Sequence, residues 1–175
     1  MEDKAKVFAG RAGGNSVIKL TGHATWQVST ALKNYIDTNQ DALSKSDRLI
    51  FDLTQCTFLD STMIGLVSHL AVRFFKATNR QASLLYSHEK VKNILELMNC
   101  NRIMNMIEST PDEPVAGSVI QEIPGQAAID KAALRECMLL AHKALVELNE
   151  KNLSEFGRVI DDLKKPSKTA TPPAT

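Results

Sequence analysis

The chain carries almost no net charge: 21 basic against 20 acidic side chains leave a formal +1 and a pI near 7.7. Proteins that grip nucleic acid gather basic residues into a patch or stripe, so no direct nucleic-acid contact is expected. Cysteine is scarce as well. Cys56, Cys100 and Cys137 form no C-x-x-C pair, and an odd count argues against a closed disulfide framework, leaving a reducing compartment as the simplest reading. His23, His69, His88 and His142 stand in no metal-type spacing with a cysteine or carboxylate, so no metal site is expected. No run approaches the roughly 18 apolar residues of a membrane span. The start, Met1-Glu2-Asp3-Lys4-Ala5-Lys6, lacks the long apolar core of a signal peptide. These absences point to a cytoplasmic protein without membrane insertion. Gly10-Arg11-Ala12-Gly13-Gly14 lacks the lysine and following helix of a phosphate loop, so turn chemistry explains it and no cofactor is expected.

What is present is an alternation of strand-like and helix-like segments. Val7-Phe8-Ala9 and Val17-Ile18-Lys19-Leu20 flank a glycine-rich connection and suggest a hairpin. Val28, Leu32, Tyr35 and Ile36 recur at helical spacing, then Leu49-Ile50-Phe51-Asp52-Leu53 reads as a buried strand. After a short turn containing Cys56, a helix is expected from Ser61 to about Thr78, with Asp60 as N-cap and Met63, Leu66, Val67, Leu70 and Phe74 on one face. Ala82-Ser83-Leu84-Leu85-Tyr86 predicts another strand, and Val91, Ile94, Leu95 and Met98 a helix from Glu89. The order is that of an α/β fold with a mixed sheet covered by helices.

At 175 residues the chain has room for one ordinary domain and an appendage. The expected division is a domain over 1–108, a linker over 109–126, an amphipathic helical extension over 127–165 and a disordered tail over 166–175. Prolines 111, 114 and 124 and Gly117 mark the linker, within which Val119-Ile120 is a candidate short strand. In the extension, Leu134, Met138, Ala141, Leu145 and Leu148 step by four and three residues, and Leu153, Phe156, Ile160 and Leu163 repeat the pattern after a polar break. Two helices, or one kinked helix, are predicted. Such an apolar seam must pack on something: on the domain, on the same segment of a second chain in a homodimer, or on a partner protein. Its expected role is to tune access or assembly, without being needed for the domain to fold.

The stretch Asp60-Ser61-Thr62-Met63-Ile64-Gly65, following a strand and a short turn, resembles the Asp-Ser-(Ser/Thr)-Gly-(Leu/Ile)-Gly signature of STAS domains, the family of bacterial anti-sigma factor antagonists. The resemblance covers residues 6–108. It implies a STAS-like mixed β-sheet covered by α-helices, here with a C-terminal helical extension. It also implies that Ser61 is phosphorylated by a partner serine protein kinase that doubles as anti-sigma factor and that a serine phosphatase reverses the modification; Thr62 is the secondary candidate by adjacency alone. Asp60, Ser61, Thr62, Met63, Gly65, His23 and Thr25 are the partner-binding residues so implied. Two positions depart from the pattern. Met63 replaces the first glycine, which bears on how closely a partner backbone can approach. Gly22-His23-Ala24-Thr25 replaces the usual Gly-Glu-(Ile/Leu)-Asp, removing two acidic groups while leaving Thr25 able to cap the next helix.

Read without the family, Ser61 is an ordinary serine at a helix start, where hydroxyls satisfy orphan amides. Asp52 and Asp60 could form a carboxylate pair, yet no His, Lys or nucleophile at recognisable catalytic spacing accompanies them, and no enzymatic activity is expected. Cys56 reads as a small buried residue, with nothing basic nearby in sequence to activate it. An alternative function is an adaptor subunit of a membrane-lipid transport ATPase complex, a role some STAS proteins fill without phosphorylation.

Overall fold

A computed structural model describes residues 4–111, 115–125 and 128–166; the rest of the expected tail, residues 167–175, lies outside the described residues. The opening hairpin is formed by β1 (Lys6–Ala12) and β2 (Asn15–Ala24), reversed at Gly13-Gly14. A 3-10 turn (Trp26–Val28) leads into α1 (Ser29–Thr38), followed by the short α2 (Gln40–Ser44). Then come β3 (Leu49–Leu53), β4 (Cys56–Leu59), α3 (Ser61–Thr78), β5 (Ala82–Tyr86), α4 (Glu89–Leu97) and β6 (Met104–Glu108). The chain closes with β7 (Ser118–Ile123), α5 (Lys131–Leu148) and α6 (Asn152–Lys164).

The fold is α/β, with a mixed seven-stranded sheet in the order β6-β5-β3-β2-β1-β7 and β4 joined to the far end of β2. Strands β2, β3, β5 and β6 run parallel, while β1 pairs antiparallel with β2 and β7 pairs antiparallel with β1 at the sheet's edge. Parallel neighbours require crossovers, and α1 with α2, then α3, then α4 supply them. The central strands are shut off from water as such a sheet requires: Ile18, Leu20, Leu49, Phe51, Leu53 and Leu84 are all fully buried.

One expectation changes in the sheet. Cys56 lies in β4, a strand paired to β2, and not in a turn. Strand β2 is long enough to serve two partners in succession, β3 along Ser16–Lys19 and β4 from Gly22 onward, with a register shift between Gly22 and His23. Gly22 absorbs that shift at φ +65°, where a side chain would be strained. The candidate strand at Val119-Ile120 is present and longer than expected: it is β7, which pairs with β1 from Val7↔Ile123 to Ala12↔Ser118.

The extension takes the first of its expected options and folds back on the domain, within the same hydrophobic core. Cys137, Ala141, Leu145, Phe156 and Ile160 belong to one cluster with the sheet and α3. The buried face of α5 is Cys137, Ala141, His142, Ala144 and Leu145, while Leu134 and Met138 of the expected seam are only half-buried. In α6, Phe156 and Ile160 turn inward and Leu153 is exposed. The two helices are tied together at their far ends, where Arg135 Nε donates to the Leu163 carbonyl at 2.6 Å, and at the turn, where Asn152 Nδ2 donates to the Leu145 carbonyl at 2.7 Å.

Candidate functional site: the head of α3

Helix α3 starts where β4 stops, because Asp60 is extended (φ −88°, ψ 171°) and its carboxylate caps the helix. One oxygen, Oδ1, accepts the Met63 amide at 2.9 Å; the other, Oδ2, accepts the Trp26 amide at 2.7 Å. Asp60 therefore satisfies an orphan donor of α3 and ties the head of α3 to the loop after β2. This displaces Thr25 from its expected role. Thr25 makes no side-chain cap; its carbonyl accepts from the Val28 amide at 3.0 Å.

Ser61, the first residue of α3, is half-buried. Its hydroxyl lies 3.0 Å from His142 Nε2 on α5, and His142 Nδ1 lies 2.8 Å from the Met138 carbonyl. A carbonyl can only accept, so Nδ1 carries the proton; in neutral imidazole Nε2 is then the acceptor and Ser61 donates to it. His142 is 3% exposed, with the Phe156 ring of α6 against it at 5.2 Å between centroids. Burial pushes its pKa below the ordinary 6.5, opposed by the Met138 hydrogen bond and the Asp60 charge. The neutral tautomer can take up the Ser61 proton, and it holds the hydroxyl toward α5.

Thr62, the secondary candidate, is 2% exposed, and Met63 is fully buried in the core. Gly65 faces α5 directly. A β-carbon there would overlap the Ala141 carbonyl and stand 2.7 Å from the Ala141 Cα, so two helix backbones touch at this point. The expected partner-binding residues thus fall into two groups. Thr62, Met63 and Gly65 are covered by the chain's own packing, Gly65 by the backbone of α5. Asp60, Ser61, His23 and Thr25 remain at least partly open. His23 is exposed on β2, stacks on Phe58 of β4 with centroids 5.5 Å apart, and lies 3.3 Å from the Thr57 hydroxyl. Phe58 and Trp26 are exposed aromatics beside the head of α3, 46% and 38% open, and neither figured in the sequence reading.

The carboxylates serve structure. Buried Asp52 accepts from the Thr54 amide at 3.0 Å and the Thr54 hydroxyl at 2.6 Å, and pairs with Lys19 at 3.6 Å. Asp60 is occupied by two backbone amides. Cys56 is fully buried, its thiol pushed up to about 11 by burial, which makes it inert as a nucleophile. Among the described residues no cluster of three or more His, Cys, Asp or Glu side chains could hold a metal ion, and no helix is long and apolar enough to cross a membrane.

His142 is the site residue that sequence reasoning missed. The available signal was its neighbour Ala141: small residues at 137, 141 and 144 trace a face suited to close helix contact, and His142 borders it. No protein-family model matches the chain, and no curated protein matches it.

Proposed function

We propose that this chain is a cytoplasmic, non-enzymatic regulatory binding protein of the STAS type, acting as an anti-sigma factor antagonist in which Ser61 is the phosphate acceptor. Unmodified Ser61 permits docking to a serine kinase that doubles as anti-sigma factor; phosphorylated Ser61 forbids it, and a serine phosphatase restores binding. ATP and Mg²⁺ belong to the partner kinase. The observation that carries this reading is the half-exposed Ser61 hydroxyl at the head of α3, inside the Asp60–Gly65 motif, next to a Thr62 hydroxyl closed off by packing. Phosphate is well accommodated at a helix N-terminus, yet it brings about −1.5 to −2 charges beside Asp60 and alters any interface built there.

A second reading, an adaptor subunit of a membrane-lipid transport ATPase complex, gains support from α5, which covers much of α3 and would not hinder a constitutive structural role. The two readings separate by partner. The full chain recovered from the cells that make it should carry a serine kinase or phosphatase under the first reading. A transporter ATPase, with Ser61 unmodified by intact mass, would favour the second.

A further inference from the structure

From the Ser61–His142 contact we infer that His142 is the built-in counter-ion of a phosphate on Ser61, so that phosphorylation fastens α5 over α3. This rests on the reading of Ser61 as phosphate acceptor and adds how the modified state is held. In the unmodified chain the link between Ser61 and α5 is a neutral hydrogen bond of 3.0 Å to an imidazole whose other nitrogen is fixed by Met138. When Ser61 Oγ bonds to the γ-phosphorus of the kinase's ATP, the bond to the ADP oxygen breaks and the hydroxyl proton passes to His142 Nε2. The products are ADP, a phosphoserine dianion and an imidazolium. The new charges are opposite and adjacent.

A charge-assisted bond replaces a neutral one, and such bonds are shorter and about twice as strong. The groups facing His142 favour this. Asp60, from the turn before α3, is the charged group acting on it among the described residues; α5 supplies the Met138 carbonyl and α6 the Phe156 ring. None is a cation that would oppose protonation. The tautomer already present needs no ring flip, since Nδ1 keeps its proton and Nε2 gains one. Because Gly65 and Ala141 touch one turn further on, holding Ser61 to His142 also holds the helix pair that closes over Gly65. In the unmodified chain the link from Ser61 to α5 is the neutral bond alone.

The test needs no kinase. The full chain is made with phosphoserine installed at position 61 by codon suppression, and the His142 pKa is measured by NMR titration beside that of the unmodified chain. An opposite charge at this range should raise it by roughly 1 to 3 units, and the amides of α5 should exchange with solvent more slowly in the phosphorylated chain. The variant His142→Gln, which keeps a hydrogen-bonding group without the charge, should lose that extra protection. An unchanged or lowered His142 pKa, or faster exchange along α5 on phosphorylation, overturns the inference. If the variant fails to fold, the wild-type titration alone decides. Failure of Ser61 to be modified in cells is a separate result, read by mapping the native protein, and would remove the underlying reading without touching the ion pair.

Discussion

Asp60, Ser61 and His142 illustrate how much of a site one residue can decide. Asp60 was legible as a cap because a short carboxylate before an apolar helical run has few better uses. Its second contact, to the Trp26 amide, was not legible, since it joins segments 34 positions apart whose adjacency is created by β2 and β4 pairing. The same holds for Ser61 and His142, which are 81 positions apart. His142 carries a testable pH signature. Its folded pKa lies below the ordinary 6.5 through burial, so as pH falls the unfolded chain takes up the proton first. Its contribution to stability is therefore present above about pH 6.5 and lost below it. His69 is shifted the same way, by burial and by Arg73, so a variant is needed to isolate His142. Urea unfolding at about pH 7.5 and about pH 5.5 should show the wild type losing stability on acidification, and His142→Gln losing less. An identical loss in both chains would place the effect elsewhere.

Among elements, those with a long or pure period were readable: β3, β5, α3 and the start of α4 fall where the apolar spacing put them. Strands β4 and β6 were not. Four residues of β4 after Thr54-Gln55 are too short to display alternation, and β6, Met-Asn-Met-Ile-Glu, has little β-branched content. Helix α5 was found on its true face: Ala141 and Leu145 of the expected seam are buried and Leu148 packs against the core, while small Cys137 and Ala144, which count for little in a hydrophobic pattern, join the buried face and Leu134 and Met138 stay half-buried. At Gly65 helix propensity and the close approach of the Ala141 backbone pull in opposite directions. Gly65→Ala separates these two influences. Alanine should favour the helix by about 1 kcal/mol, while overpacking against the Ala141 backbone should cost about 1–3 kcal/mol. Net destabilisation is expected in a chemical melt, with α5 losing hydrogen-exchange protection before the sheet. A more stable variant would mean that the two helices do not approach this closely.

At the scale of the whole molecule, the sheet, α3 and the hairpin of α5 and α6 share one hydrophobic core. The composition break over residues 109–125 suggested two parts because proline and glycine mark chain direction changes, and they say nothing of whether the following segment returns to the core. It does return, first as β7 and then as α5. A chain ending at Gly125 should therefore lose its cooperative thermal transition or aggregate, having exposed the α3 face now covered by Cys137, Ala141 and Leu145. A truncated chain that melts sharply at the full-length midpoint would restore the two-part view.

The central claim is that Ser61 is the residue this chain uses to change state. Phosphopeptide mapping of the full chain isolated from cells that carry its kinase, with Ser61→Ala prepared in parallel, tests it most directly. The predicted result is phosphate on Ser61, absent from the alanine variant, with Thr62 unmodified beneath the packed face of α3. Phosphate mainly on Thr62, or a signal unchanged by Ser61→Ala, would contradict it.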